Sequence, residues 1–143
     1  MIESLMLVDD EDLFHLVFED SCSLLDITLS LKSLKSSDEA ANLFKKWINA
    51  PEQRPECVFV DLNIIGSSFD GIELIRKINF EYGDNVVIGI ISSSNEAEEQ
   101  AKAVQSGAQF WIIKSDDIEP RLEEFKKDYE GYKNKTAPFK IYR

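Results

Sequence analysis

Histidine and cysteine are scarce in this chain: one His (His15) and two Cys (Cys22 and Cys57) in 143 residues. A zinc site needs about four Cys or His donors at set spacings, so that chemistry is excluded. The cysteines lie in apolar-rich segments without a CxxC pair, which predicts buried free thiols in a reducing compartment. No apolar run approaches the ~18 residues of a membrane span. The N-terminus lacks the basic stretch and apolar core of a signal peptide, so a cytoplasmic protein is expected. Basic residues are outnumbered, 16 Lys and Arg against 27 Asp and Glu, for a net charge of -11. Such a surface repels phosphate backbones and anionic lipid, so neither nucleic acid nor membrane is an expected partner. It serves solubility, or the docking of a basic partner.

What remains is an ordinary globular composition, 43% apolar and 30% charged, in a length that suits one domain. Short β-type runs alternate with longer helical ones, a pattern that predicts a parallel sheet with helices on both faces. Strands are expected over 5–8, 27–31, 57–60, 86–91 and 110–113. The first helix begins near Glu11 or Asp12 and carries Phe14, Val17, Phe18, Ser21, Cys22 and Leu25 on one face. Ser37 is the expected N-cap of a second helix, with Ala40, Leu43, Phe44, Trp47 and Ile48. A third helix runs over 72–80, a fourth over 97–106 closed by Gly107. The last follows Pro120 with Leu122, Phe125, Tyr129 and Tyr132 at helical spacing. The core covers about 4–132, and 133–143 is a short basic tail without an obvious partner face. The expected class is α/β, a doubly wound, five-stranded parallel sheet in a single domain.

In such a sheet ligands bind beyond the carboxyl ends of the strands. The chemically distinctive residues all fall there: Asp9, Asp10 and Glu11 after the first strand, Asp61 and Asn63 after the third, Ser92 to Ser94 after the fourth, and Lys114 after the fifth. Converging carboxylates repel one another unless a cation sits among them. Oxygen-only donors suit Mg²⁺, which takes one or two carboxylates together with phosphoryl oxygens. A hydroxyl and a lysine would neutralise the remaining phosphoryl oxygens, and an aspartate in line with phosphorus can attack it.

These residues carry a resemblance. Val8-Asp9-Asp10, Phe59-Val60-Asp61-Leu62-Asn63, Asp70-Gly71, Ile91-Ser92-Ser93 and Gly107-Ala108-Gln109-Phe110-Trp111-Ile112-Ile113-Lys114 stand in the order seen in two-component response-regulator receiver domains, with Ser92 and Lys114 22 positions apart. The chain resembles the single-domain, chemotaxis-type members, which have no output domain. The resemblance implies the flavodoxin-like receiver fold with strand order 2-1-3-4-5, and Asp61 as phosphoacceptor. It implies Asp10 as a direct Mg²⁺ ligand, Asp9 acting largely through water, and the Asn63 backbone carbonyl as a further ligand. Ser92 and Lys114 would bind phosphoryl oxygens, and Trp111 would be the switch aromatic. Asn63 and Ser94 occupy positions that tune dephosphorylation. The implied partners are a sensor histidine kinase or phosphotransfer protein and a downstream protein at the face of helix four, strand five and helix five. A homodimer is compatible with all of this. Any enzymatic activity would be limited to weak self-phosphorylation from small donors and autodephosphorylation.

Three departures stand out. Ser115 replaces the usual proline after the lysine, where a cis bond without proline costs about 3–4 kcal/mol, so the joint is either trans or compensated locally. The loop from Asp61 to Gly71 is longer than the common form and lacks its Met-Pro. Trp111 is bulkier than the commoner Tyr or Phe. Blander readings exist for each feature: Asp9-Asp10 as a helix cap, Ser92 to Ser94 as a polar turn, Lys114 as a solvated lysine, Trp111 as core. His15 reads as a surface or half-buried side chain without a phosphotransfer role. Two other functions are therefore carried, a receiver-fold interaction module without a working switch, and a haloacid-dehalogenase-type phosphatase. The latter would want a second Asp where Asn63 stands.

Overall fold

The computed structural model describes residues 1–143. Strands β1 (Ile2–Val8), β2 (Thr28–Leu34), β3 (Cys57–Val60), β4 (Val87–Ser92), β5 (Phe110–Ile113) and β6 (Lys140–Tyr142) alternate with helices α1 (Asp12–Leu24), α2 (Ser37–Lys46), α3 (Gly71–Tyr82), α4 (Ala97–Ser106) and α5 (Glu119–Lys133). The sheet order is β2-β1-β3-β4-β5-β6, and every pairing is parallel. The sheet thus has six strands where five were expected. The sixth comes from the basic tail, which pairs with β5 in the register Phe110↔Lys140, Trp111↔Ile141 and Ile112↔Tyr142.

Period-two alternation sorts the strand residues to two cores. Leu5, Leu7, Cys57, Phe59, Phe110 and Ile112 face α1 and α5. Met6, Val8, Val58, Val60, Ile88, Ile90 and Trp111 face α2, α3 and α4. The first core is aromatic: Phe59 meets Phe18, Phe110 and Phe125 at ring centroid distances of 5.2, 5.0 and 5.1 Å. Each such ring, fully buried, stabilises the fold by about 1.5–3 kcal/mol. Gly89 is what allows Phe110 to lie flat there, since a Cβ on it would stand 2.6 Å from the ring. Cys22 and Cys57 are free and buried in the same layer, and burial pushes the Cys22 thiol up to about 12.

Boundaries moved where tertiary pairing overrides local pattern. β2 extends to Leu34 because β1 offers it a ladder as far as Val8. The N-cap of α2 is Ser36, whose side chain accepts from the Glu39 N–H, while Ser37 is buried as the first helical residue. Asp70 caps α3 in the same manner. α4 ends at Gly107 with φ 110°, a left-handed cap. No helix is long and apolar enough to cross a membrane.

Candidate functional site: an acid pocket at the carboxyl edge of the sheet

β1 and β3 are central neighbours, and their register brings Val8 beside Val60. The residues that follow, Asp9 and Asp61, therefore emerge side by side. Asp9 is fully buried and Asp61 is 6% exposed. One oxygen each of Asp9, Glu11 and Asp61 lies within 4.8 Å of the other two. The Glu11 N–H donates to Asp9 Oδ1 at 2.8 Å, which holds Glu11 at the mouth. Asp10 is half-buried and is not one of these three.

Lys114, at the end of β5, supplies the positive charge. Its Nζ lies 2.6 Å from Asp9 Oδ2, 3.4 Å from Asp61 Oδ2 and 3.5 Å from Glu11 Oε1, and 4.4 Å from the centroid of Phe14. Burial pulls the lysine down, but the bond to Asp9 and the charges of Asp61, Asp9 and Glu11 outweigh it, so its pKa ends raised. Burial pushes the Asp61 carboxyl up to about 7; Lys114 opposes this, Asp9 adds to it, and the Leu62 N–H donating at 2.9 Å opposes it again.

Ser92 is buried at the end of β4. Its Oγ accepts from the Ser94 N–H at 3.2 Å, and its carbonyl accepts from the Lys114 N–H at 2.8 Å. Trp111 is fully buried, and its indole N–H donates to the Ser94 carbonyl at 3.0 Å. Ser94 Oγ donates to Glu99 Oε1 at 2.7 Å, fastening the same loop to α4. Asn63 has an exposed side chain on the loop after β3.

Gly71 closes the back of the pocket. Its N–H donates to the Leu62 carbonyl, and a Cβ there would sit 2.0 Å from the Asp61 carbonyl oxygen. The long loop between them is pinned to the start of α2, where the Ser37 N–H donates to Ser67 Oγ and the Ser68 N–H to Asp38 Oδ2, both at 2.9 Å. All peptide bonds are trans, including Lys114–Ser115. Ser115 there donates to the Asp117 carbonyl and accepts from Arg121, fixing the turn into α5.

A model of the response regulator receiver domain matches residues 5–124. The chain belongs to the response regulator receiver family, the receivers of two-component signalling. Among solved structures, it is similar to NtrX from Brucella abortus (24% identity, TM-score 0.74), covering 94% of this chain and only 28% of that one. It is also similar to the Mn²⁺-bound form of response regulator Rcp1, at 18% identity and TM-score 0.70, over 94% of this chain and 96% of that one. The phosphorylated cyanobacterial phytochrome response regulator RcpA matches at 18% identity and TM-score 0.71, over 96% and 97%. At these identities the likeness is one of fold. No curated protein matches the chain.

Within this receiver, the expected site residues Asp9, Asp61 and Lys114 converge, Ser92 adjoins Lys114 through the backbone, and Glu11, not Asp10, is the third carboxylate near Asp9 and Asp61. Oxygen donors at this spacing fit a hard divalent cation such as Mg²⁺. His15, expected at the surface or half-buried, is buried at 6% exposure, with Nε2 2.6 Å from the Asp9 carbonyl. The carbonyl can only accept, so Nε2 carries the proton. The partner of His15 is a backbone carbonyl six residues back, a contact that no side-chain pattern in the sequence signals.

Proposed function

We propose that this receiver is a phosphorylation-switched signalling module in which Asp61 accepts a phosphoryl group from a histidine kinase or phosphotransfer protein. The single observation that carries the reading is the position of Asp61, nearly buried and facing Lys114 and the carboxylates of Asp9 and Glu11. A carboxylate held thus is directed at one approach, along which an Asp61 oxygen forms a bond to phosphorus. The P–N bond of the donor phosphohistidine breaks as it does so, its electron pair returning to the imidazole nitrogen. Lys114 neutralises one phosphoryl oxygen and Ser92 Oγ donates to another.

Asp61, Asp9, Asp10 and the Asn63 carbonyl would hold Mg²⁺, as the resemblance implies, and the clustering of oxygens supports adding Glu11. When bound, the ion offsets the charge of the phosphoryl oxygens against that of the carboxylates. Mn²⁺ in Rcp1 and phosphorylation of RcpA, as their names state, are consistent with this reading. Asn63 and Ser94 are proposed to tune the lifetime of the acyl phosphate. Leu13 and Leu16 on α1 and Ile65 on the long loop after Asp61, all more than 60% exposed, suit an apolar face of the phosphodonor.

Incubation with Mg²⁺ and acetyl phosphate, read by intact mass, tests the proposal. A gain of one phosphoryl group that vanishes in Asp61→Asn is expected. No gain, or a gain that survives the substitution, overturns it and favours an interaction module without a switch.

A further inference from the structure

The edge strand of an open sheet exposes a row of backbone donors and acceptors on which another strand can pair. Here β5 does not have that edge free, because β6 lies along it. Two faces of β6 are used. Phe139 and Ile141 pack on the core that holds Trp111. Lys140 and Tyr142 turn to α5, where Tyr142 is 1% exposed. The Tyr142 hydroxyl donates to Asp128 Oδ2 at 2.7 Å and lies 2.8 Å from the Tyr132 hydroxyl. Lys140 Nζ reaches Glu124 at 2.7 Å and Asp128 at 2.9 Å. The turn leading back from α5 is set by Lys135 at φ 59° and by the Thr136 and Ala137 N–H groups donating to the Gly131 carbonyl.

Trp111 is therefore held at two ends. Its indole N–H is bonded to the Ser94 carbonyl, on the loop that leaves Ser92, and its strand is covered by Ile141, its register partner. Phe139 and Ile141 lie at the sheet edge beside that strand and pack on the same core as the indole. We propose that β6 is an intramolecular latch: it occupies the β5 edge and holds Trp111 inward, so that the edge opens and Trp111 moves outward only when residues 139–142 leave. The occupant is this chain's own strand, anchored by the polar network to α5. The coupling holds whether or not Asp61 takes a phosphoryl group, so its test needs no phosphodonor.

Trp47→Phe leaves Trp111 as the sole indole. In that background, acrylamide quenching of Trp111 and hydrogen exchange of the 140–142 amides are compared for the parent, for Ile141→Asp/Tyr142→Ala, and for the milder Tyr142→Phe, which removes the hydroxyl contacts and keeps the ring. Amide protection in β1, β3 and β4 reports that the core stays folded. The expected result is a several-fold rise in quenching that tracks faster exchange at 140–142, strong in the double variant and partial in Tyr142→Phe. Exchange accelerated at 140–142 with Trp111 as protected as in the parent overturns the latch. So does unaltered exchange in both variants, or a parent dimer whose β5 edge is paired by the tail of a second copy. Should the double variant lose its core protection, the comparison of parent with Tyr142→Phe decides by the same readings.

Discussion

Lys114 Nζ is closer to Asp9 Oδ2, at 2.6 Å, than to Asp61 Oδ2, at 3.4 Å. The lysine is thus shared between the fully buried carboxylate and the proposed acceptor, with its stronger bond on the former. Removing it strands a buried charge, which destabilises proteins by about 3–5 kcal/mol. Lys114→Met is expected to lower the unfolding free energy by roughly that amount, measured by urea titration without divalent ions. Added Mg²⁺ should recover part of the loss. A variant as stable as the parent would mean that Asp9 does not depend on Lys114.

Asp61 makes the stability depend on pH in a direction that can be stated. Its carboxyl titrates near 3.8 in the unfolded chain and about 7 in the folded one, so between these values the folded state holds a proton that the unfolded state has lost. Stability therefore falls as pH rises through that window, by up to about 1.4 kcal/mol per pH unit, and levels off above it. Asp61→Asn should remove this slope and leave the protein more stable than the parent at pH 8. A parallel pair of stability profiles would contradict the burial argument. Mg²⁺ binding should tighten over the same window with release of a proton, as calorimetry in two buffers would show.

Gly71→Ala places a methyl group 2.0 Å from the Asp61 carbonyl oxygen, against backbone rather than a flexible side chain. Overpacking of this kind costs about 1–3 kcal/mol. Because the displaced backbone is that of Asp61, the expected result combines a lower unfolding midpoint with slower labelling from acetyl phosphate. Loss of stability with unchanged labelling would separate the glycine from the site.

His15 bears on the same pocket from below. His15→Phe keeps the buried ring and leaves the Asp9 carbonyl without its donor, a loss of about 1–3 kcal/mol. A weaker Mg²⁺ affinity should accompany it, and His15→Gln should restore part of both. Equal affinities in all three proteins would make His15 a packing residue only.

How much of this was legible in the sequence follows from where each signal resides. The 57–60 and 110–113 strands and the 97–106 helix are carried by continuous apolar runs and a glycine stop, and the structure has them at those bounds. Asp9, Asp61, Ser92 and Lys114 were placed by strand ends, which depend on local pattern alone. β6 was not legible, because three residues after a proline carry no periodicity; it is made by Tyr142 and Lys140 finding Asp128, a tertiary contact. Glu11 comes close to Asp9 and Asp61 where its N–H donates to Asp9 Oδ1, a geometry two adjacent acids do not announce. His15 was hidden for the same reason, its partner being a backbone carbonyl.

The central claim is that Asp61 is the atom-for-atom site of phosphoryl transfer, and borohydride reduction tests it most directly. After incubation with Mg²⁺ and acetyl phosphate, an acyl phosphate is reduced to the alcohol, and peptide mass spectrometry locates it. The account predicts reduction at Asp61 alone, dependent on Mg²⁺. Reduction at Asp9, Asp10 or Glu11, or none anywhere in the protein, would contradict it.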